Sequence, residues 1–395
     1  MTRMLLALAL FASACGSAGA ALPDAFVATI SAVEVTPGSL TVKRGLSAPI
    51  QLTAKVSLSS STTLDITNNA TWTSSDATVA TVSVTGVVTP VGSGTATITA
   101  SYEDSSARST VTVTSPKIFM AEAGSVPAIT IFDAYASGEA PPLARITGNM
   151  TTLSFPWAVV VSHDEIYVGN AGSQSIAVWP VSASGDVPPI RELGGALTKL
   201  SSNYGMAVYN HEIYVAVPNE ILVFPDTATG NVAPTREITG AMTGLTIYGY
   251  TIAIDHDELY VTNSNTNQIL VFPVNASGNI APTRKLTGVP SLGLMNVYDF
   301  KVADGELYVA DLTGIRTYLS ATDGPATPIR YVRGANTGLS SVIGVNIVGE
   351  ELYSVNYSTG GIHVHPLKAT GDVLPTRVIV GPATTISSPR YQFVY

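Results

Sequence analysis

The five histidines have an obvious capacity for chemistry, because histidine is a common metal ligand and proton carrier. His163, His211 and His256 stand just before a Glu that recurs along the chain. We interpret them as residues of a repeated tight turn, too spread out to form a metal site. His363 and His365 are two apart on one predicted strand and so share a face, but two ligands do not complete a tetrahedral site. We predict structural or solvent-facing roles for this pair, and no metal site.

A second candidate set lies eight residues before each recurring Glu and begins the first strand of each repeat. It contains Trp157, Tyr204, Tyr250, Tyr298 and Ile343, with Arg390 at this position in the C-terminal strand. Loops after the second strands reach the same face, and they carry Asn170, Asn263, Asn265, Asp311, Asn356 and Tyr357. Aromatic platforms beside amide and carboxylate groups suit a sugar, a peptide or an apolar metabolite. The alternative is that the aromatic residues only pack the repeats together.

Arginine also recurs, once in the outer strand of every repeat. The six positions are Arg145, Arg191, Arg236, Arg284, Arg330 and Arg377. Six arginines suggest anion binding, but at one per repeat on the outermost strand they are too far apart to converge. We predict that their stems pack between repeats and that their charges pair locally.

The overall composition excludes several classes of function. The chain has 395 residues, 12% of them charged, and a net charge of −9. This argues against binding to nucleic acid and against electrostatic binding to anionic lipid, since both need a basic surface. The single cysteine excludes an intramolecular disulfide. Few charges with abundant Gly, Pro, Thr, Ser and Val are typical of an all-β extracytoplasmic protein.

The N-terminal residues predict export. Residues 1–14 combine Arg3, a short apolar segment and small residues, which is the pattern of a signal peptide rather than of an anchor helix. Cys15 follows directly, and the arrangement resembles the lipobox of bacterial lipoproteins. The resemblance implies that Cys15 is lipidated, that residues 15–29 form a flexible tether, and that Gly16 directs sorting to the outer membrane or cell surface. The alternative is ordinary cleavage with loss of Cys15.

Residues 30–114 show short runs of period-two alternation, separated by turns, which predict a β-sandwich. The segments VTPGSLTVKRG, TWTSSDATVATVS and GVVTPVGSGTATITA resemble the bacterial Ig-like domain of group 2. The resemblance implies a spacer or adhesive module. We expect Trp72 to be buried in the core between the sheets.

Residues 117–395 contain an internal repeat. Its recurring Glu is always followed by Ile or Leu and then Tyr, at Glu165, Glu212, Glu258, Glu306 and Glu351. Six copies of four short strands at this period predict a six-bladed β-propeller. The pattern resembles NHL-repeat propellers. Because the first copy lacks its innermost strand, we predict that residues 389–395 supply it and close the ring.

Some six-bladed propellers are enzymes that hold a divalent metal at the channel. Here Asp299 and Asp311 are the carboxylates expected near the innermost strands, which is few for a calcium site. We find no Ser/His/Asp set with a plausible elbow and no phosphate-binding loop. The sequence therefore predicts no cofactor and favours binding over catalysis.

We accordingly expect an all-β, lipid-anchored surface protein that acts in binding or adhesion. The Ig-like domain would be its spacer, and the propeller its binding head. The expected partner is a cell-surface or envelope protein or glycan, with membrane attachment through the lipid alone and no nucleic acid. Two alternatives stay open: a metal-dependent hydrolase or lyase with its site at the channel mouth, and a structural component of an envelope assembly.

Overall fold

The computed structural model describes residues 29–201, 205–246, 251–263, 266–288, 297–358 and 360–395, without the side chains of residues 391 and 392. The predicted signal peptide, Cys15 and most of the predicted tether lie outside these residues. The chain divides into two compact units between Ser115 and Pro116. Throughout the described ranges the regular elements are β-strands and single-turn 3₁₀ helices, so the prediction of an all-β protein is confirmed.

The first unit contains ten short strands, because its sequence alternates apolar and polar residues between turns. They form three sheets, with the orders β1-β4-β5, β2-β10-β9-β6 and β3-β8-β7. The strands are β1 (Ile30–Thr36), β2 (Ser39–Lys43), β3 (Ile50–Gln51), β4 (Thr53–Leu58), β5 (Thr63–Asp65), β6 (Thr71–Ser74), β7 (Ala80–Val82), β8 (Val87–Pro90), β9 (Gly94–Tyr102) and β10 (Ser105–Thr114).

Trp72 lies in the core of this unit, as the sequence predicts. Its side chain is buried, and its indole Nε1 donates a hydrogen bond to the carbonyl of Thr67 at 2.9 Å. Gly86 packs against the ring with a φ of 79°, and a Cβ there would lie 2.8 Å from the indole. The ring therefore fills the core and fixes a glycine turn beside it.

The second unit contains 25 described strands in six sheets, numbered 1 to 6 along the chain, and the strands pair antiparallel except for the parallel pair β25 and β29 in sheet 4. Sheet 1 comprises β11 (Lys117–Glu122), β12 (Ala128–Asp133), β13 (Ala144–Thr147) and the C-terminal β35 (Pro389–Val394). Sheet 2 comprises β14 (Pro156–Ser162), β15 (Glu165–Asn170), β16 (Ser175–Pro180) and β17 (Arg191–Gly194). Sheet 3 comprises β18 (Gly205–Tyr209), β19 (Glu212–Val217), β20 (Glu220–Pro225) and β21 (Arg236–Thr239).

The remaining sheets repeat this order. Sheet 4 comprises β22 (Ile252–Asp255), β23 (Glu258–Asn263), β24 (Gln268–Pro273), β25 (Arg284–Gly288) and the added β29 (Gly324–Ala326). Sheet 5 comprises β26 (Asp299–Ala303), β27 (Glu306–Asp311), β28 (Gly314–Leu319) and β30 (Arg330–Val332). Sheet 6 comprises β31 (Val342–Val348), β32 (Glu351–Asn356), β33 (Gly361–Pro366) and β34 (Arg377–Ile379).

Single-turn 3₁₀ helices follow the outer strands at Asn149–Thr151, Ala196–Thr198, Ala241–Thr243, Ala335–Thr337 and Pro382–Thr384. No helix among the described residues is long and apolar enough to cross a membrane.

The C-terminal strand β35 is the innermost strand of sheet 1. It pairs antiparallel with β11, with Phe393 opposite Phe119, and the backbone of Lys117 exchanges two hydrogen bonds of 2.9 Å with that of Tyr395. The innermost strands then contact one another in the order β35, β14, β18, β22, β26, β31 and β35 again. The chain terminus thus contributes a strand to the sheet with which the second unit begins.

The repeated Glu, Tyr and Arg form one cluster in each of sheets 2 to 6, which we call the Glu–Tyr–Arg clusters. In sheet 4, Tyr260 donates its hydroxyl to Glu258 at 2.7 Å, and Arg284 donates to the same carboxylate at 2.8 Å. Arg284 also donates to the carbonyl of Ser320 in sheet 5 at 3.3 Å. The prediction of local pairing is confirmed, and the arginine additionally links neighbouring sheets.

These clusters shift the pKa values of their members. The Arg284 guanidinium lowers the pKa of Glu258, and burial together with the Glu258 hydrogen bond raises the pKa of Tyr260 to about 12. Each cluster in sheets 2 to 6 is therefore an ion pair with a neutral tyrosine. Sheet 1 has no such cluster among its described residues. There, Glu122 lies at the end of β11, and its carboxylate contacts Arg145 only at 3.8 Å.

Candidate ligand-binding site

Four of the six predicted ring positions lie together around a cavity of about 200 Å³. Among the described residues its lining comprises Trp157, Tyr298, Leu312, Ser341, Ile343, Tyr357 and Arg390. We call this cavity and its lining the mouth. The predicted ligand-binding residues Tyr204, Tyr250 and Asn265 lie outside the residues that the structure describes, so their predicted role stays a prediction.

Irregularities in the strands present three of these side chains. In β14 the ladder to β15 skips Trp157, since Pro156 pairs with Asn170 and Ala158 with Gly169. In β31 the ladder to β32 skips Ile343 in the same way, and β35 shifts its register next to Arg390. A β-bulge bends the strand and redirects the extra side chain. The bulges thus turn the second residue of each of three innermost strands out of its ladder at the mouth.

Arg390 lies among three aromatic rings. Its guanidinium carbon is 5.0 Å from the ring centroid of Trp157, 5.1 Å from that of Tyr357 and 5.3 Å from that of Phe155. These distances are within the range of cation–π attraction. The buried Nε of Arg390 has no hydrogen-bond partner among the described residues. The cluster is therefore a cation held by ring faces, with donor capacity left over.

Phe155 is the member of this cluster that the sequence did not single out. It precedes β14 with a φ of 50°, and its ring lies 5.8 Å from that of Trp157. The equivalent residues before β31 and β35, Ser341 and Ser388, have similar positive φ values of 52° and 48°. The repeated entry turn is a backbone feature shared by different side chains, so only the structure shows that Phe155 belongs to the site.

The predicted asparagines are buried beneath this surface. Asn170 and Asn356 end the second strands of sheets 2 and 6, and they accept hydrogen bonds from the backbone of Ser154 at 3.2 Å and Ser340 at 3.0 Å. Asn263 does the same in sheet 4 for Thr246, at 3.0 Å. Each amide thus fastens the loop that leads into an innermost strand. Asn170 and Asn356 thus hold loops of sheets 2 and 6, which contribute residues to the mouth, and none of the three asparagines is among the described residues that line its cavity.

Asp311 takes the corresponding position in sheet 5. Its carboxylate accepts a hydrogen bond from the backbone of Thr313 at 2.7 Å and pairs with Arg316 Nε at 2.9 Å. The carboxylate of Asp299 accepts from the backbone of Phe300 and of Val345, each at 2.8 Å. Both carboxylates that the sequence places near the mouth therefore have protein donors on both oxygens.

Lys301 adds a second cation on an innermost strand. Burial lowers the pKa of its amine, and the Asp299 carboxylate opposes that shift. The ammonium lies 5.7 Å from the ring of Phe393 in sheet 1. The order of contacts among the innermost strands places sheet 6 between sheets 5 and 1, so this contact joins two sheets that are not neighbours in that order.

A larger and more open depression, of about 430 Å³, lies beside β25 and β29. Two of its charged groups have local partners, because Arg284 pairs with Glu258 and Asp323 accepts from the backbone of Lys285 at 3.0 Å. Its described lining contains no aromatic ring, so the mouth is the better candidate for a ligand.

The first unit matches a known family. Residues 29–114 match the bacterial Ig-like domain of group 2. This confirms the resemblance seen in the sequence. Over 90 residues, or 22% of its length, the chain is 41% identical to Ice-binding protein 1 of Shewanella frigidimarina. The chain spans 10% of that relative's length.

Solved structures match mainly in fold. A nidogen/laminin complex matches 71% of this chain and 98% of its own, with a TM-score of 0.51 and 14% identity. The WD40 β-propeller domain of Doa1 matches 68% of this chain and 85% of its own, with a TM-score of 0.43 and 12% identity. At 14% identity the likeness to the nidogen/laminin complex bears on the fold alone.

Proposed function

We propose that the second unit is a six-bladed, NHL-like β-propeller whose mouth binds a carboxylate-bearing sugar of an envelope or cell-surface glycan. The six sheets are its blades, and β35 completes the first. The proposed architecture is supported by the successive contacts of the innermost strands and by the inter-sheet hydrogen bonds of the Glu–Tyr–Arg clusters. Arg377 makes such a bond from sheet 6 to Ala134 in sheet 1, at 3.1 Å.

The observation that carries the proposed ligand is the placement of Arg390 among Phe155, Trp157 and Tyr357. Ring faces stack on the apolar face of a sugar, and a guanidinium pairs with a carboxylate through two parallel hydrogen bonds. Typical drug-sized pockets have volumes of roughly 300–1,000 Å³. The cavity of about 200 Å³ is smaller and suits a single sugar unit. Acidic sugars combine both features in one unit.

Binding is favoured over metal-dependent catalysis at this place. A catalytic cation needs carboxylate or histidine ligands that are available to it. The carboxylates of Asp299 and Asp311 already accept hydrogen bonds from the backbone. Arg390 also adds positive charge, which repels a cation.

We further propose that the protein acts at the outer membrane or cell surface, anchored through a lipid on Cys15, with the Ig-like domain as spacer. The similarity of the first unit to bacterial Ig-like domains supports a surface-binding or adhesion role of a general kind. Radiolabelled palmitate should label the chain in cells and should not label the Cys15→Ser variant. Equal labelling of both would contradict the lipid anchor.

The binding proposal is tested by calorimetry with oligosaccharides of uronic acids and their neutral, carboxyl-reduced counterparts. We expect the acidic form alone to bind, and Arg390→Ala to weaken it at least about tenfold, since charge-assisted hydrogen bonds contribute about 1.5–3 kcal/mol. Trp157→Ala should weaken binding through the loss of stacking. The matched control is Arg333→Ala, which removes an exposed arginine that also lies on an aromatic ring, 4.8 Å from Tyr331.

Two results would overturn the proposed ligand. One is equal binding of the acidic and neutral sugars. The other is an Arg390→Ala variant that binds as well as Arg333→Ala.

A further inference from the structure

Three side chains from neighbouring sheets meet at the opposite end of β14 from Trp157. His163 lies in the turn between β14 and β15, and His211 in the turn between β18 and β19; their rings stack with centroids 4.4 Å apart and planes at 12°. Oδ2 of Asp226, which follows β20, lies 2.9 Å from His211 Nδ1 and 3.8 Å from His163 Nδ1. The interpretation of these two histidines as spread-out turn residues is therefore wrong.

Asp226 is the member that the repeat does not require. Its backbone N–H donates to the carbonyl of His211 at 2.9 Å, as the equivalent residues of the other sheets do in their own turns. Those equivalents are Val181, Val274, Ser320 and Leu367. Only at Asp226 does this position carry a charge, and its side chain is just 11% exposed. Taking a carboxylate largely out of water has a cost that a partner must offset.

The backbone presents both histidines in an unusual way. His163 has a φ of 49° and His211 a φ of 61°, in the left-handed region that residues other than glycine rarely adopt. Their side chains are 51% and 74% exposed, so the rings can rotate and be reached from solvent. The turns therefore project two imidazoles beside one nearly buried carboxylate.

We propose that His163, His211 and Asp226 form a binding site for a divalent transition-metal ion of the zinc, nickel and copper class. One ligand atom from each residue can be chosen so that all lie within 4.8 Å of one another. Two imidazoles and one carboxylate form a donor set that such ions prefer, whereas calcium and magnesium need more oxygens. Small rotations of the stacked rings bring both Nδ1 lone pairs to one ion, and water completes the tetrahedron.

Nearby charge does not oppose this site. Arg191 approaches Asp226 through a hydrogen bond of 3.0 Å to its backbone carbonyl. The Arg191 guanidinium is held by both carboxylate oxygens of Glu165, at 2.7 and 2.6 Å. Its charge is therefore paired with Glu165, and its contact with Asp226 is to the backbone carbonyl. A bound ion would join the turn of sheet 2 to that of sheet 3 and so stabilise the folded state.

The test is calorimetric titration of the full chain, prepared without a polyhistidine tag, with Zn²⁺ and separately with Ca²⁺. We expect one Zn²⁺ per chain and no comparable Ca²⁺ binding, with affinity reduced at least about tenfold in His211→Ala and in Asp226→Asn. The matched control is His256→Ala, because His256 occupies the same turn position as His163 with a φ of 52° but contacts only its neighbour Asp255. Cys15 is present in every variant, so any zinc that it binds does not distinguish them.

A second measurement, of the change in Tm on adding Zn²⁺, distinguishes loss of the metal site from a general loss of stability in a variant. Zn²⁺ should raise the Tm of the wild type and of His256→Ala and leave that of His211→Ala unchanged. Arg390→Ala should retain Zn²⁺ binding, so this site and the mouth are tested separately. Zn²⁺ binding that is equal in His211→Ala and His256→Ala, or no Zn²⁺ binding by the wild type, would overturn the proposal.

Discussion

On the second and outer strands of sheets 2 to 6 the same three side chains recur, whereas around the mouth the side chains differ from sheet to sheet. The Glu–Tyr–Arg clusters pair glutamate with arginine within each sheet, and in sheets 2, 3, 4 and 6 the arginine also donates to a backbone carbonyl of the next sheet. At the mouth, Trp157, Tyr298, Ile343 and Arg390 occupy equivalent positions with unrelated chemistry. The difference separates residues that maintain the repeat from residues that are available to a ligand.

The largest effect should come from breaking a Glu–Tyr–Arg cluster. Arg377→Met removes the partner of Glu351 and Tyr353 and the bond from sheet 6 to sheet 1. Removing one member of a buried ion pair costs about 3–5 kcal/mol, and the partial exposure of this pair places its cost at the lower end, about 3 kcal/mol. Urea denaturation measures the free energy of unfolding.

Arg333→Ala is the control for this variant and should change that free energy by less than about 0.5 kcal/mol. If Arg377→Met were as stable as the control, the recurring clusters would not be what holds the sheets together.

A smaller effect should come from His365, which interrupts a repeated packing position. It pairs across the ladder with Leu352, where the other sheets place an aromatic residue: Phe132, Trp179, Phe224, Phe272 and Tyr318. The structure buries His365 and gives neither ring nitrogen a hydrogen-bond partner among the described residues. Burial and the nearby His363 lower its pKa to about 4.

The direction of the pH effect follows from that shift. The unfolded chain, with a histidine pKa of about 6.5, binds the proton more tightly than the folded chain. Stability should therefore fall by about 2.5 kcal/mol as the pH drops from about 6.5 to about 4. His365→Phe should remove most of this loss, as measured by urea denaturation across the pH range. An unchanged pH profile in His365→Phe would show that this position does not sense the proton.

The smallest effect on stability should come from the mouth itself. Arg390→Ala and Phe155→Leu should each change the free energy of unfolding by less than about 1 kcal/mol, because Phe155 is 41% exposed and the cation–π contacts are individually weak. Phe155→Leu should weaken sugar binding severalfold, less than Trp157→Ala does. A loss of stability at the mouth as large as that of Arg377→Met would remove the distinction between the two regions.

For the asparagines, the sequence indicated the correct region of each repeat but not the contacts that their side chains make. The sequence placed Asn170, Asn263 and Asn356 in the loops after the second strands, and the structure makes each of them the last residue of a second strand. Their side chains are buried and accept hydrogen bonds from the loops that lead into the innermost strands. These contacts depend on how each loop folds back over its sheet, and no local pattern in the sequence encodes that folding. The same limit applies to Phe155, whose membership of the site depends on a turn with positive φ.

The sequence by itself determined the repeat, the alternating strands of the first unit and the recurring Glu, Tyr and Arg. Periodicity is local, because a strand buries alternate residues wherever it lies. Tertiary structure alone decided which singular residues meet: Arg390 with Trp157 and Tyr357, and His163 with His211 and Asp226. Arg390 meets Trp157 and Tyr357 from other sheets, 233 and 33 positions away in the chain, and His163 lies 48 and 63 positions from His211 and Asp226 of the next sheet. Only the packing of one sheet against the next brings such distant residues within contact distance.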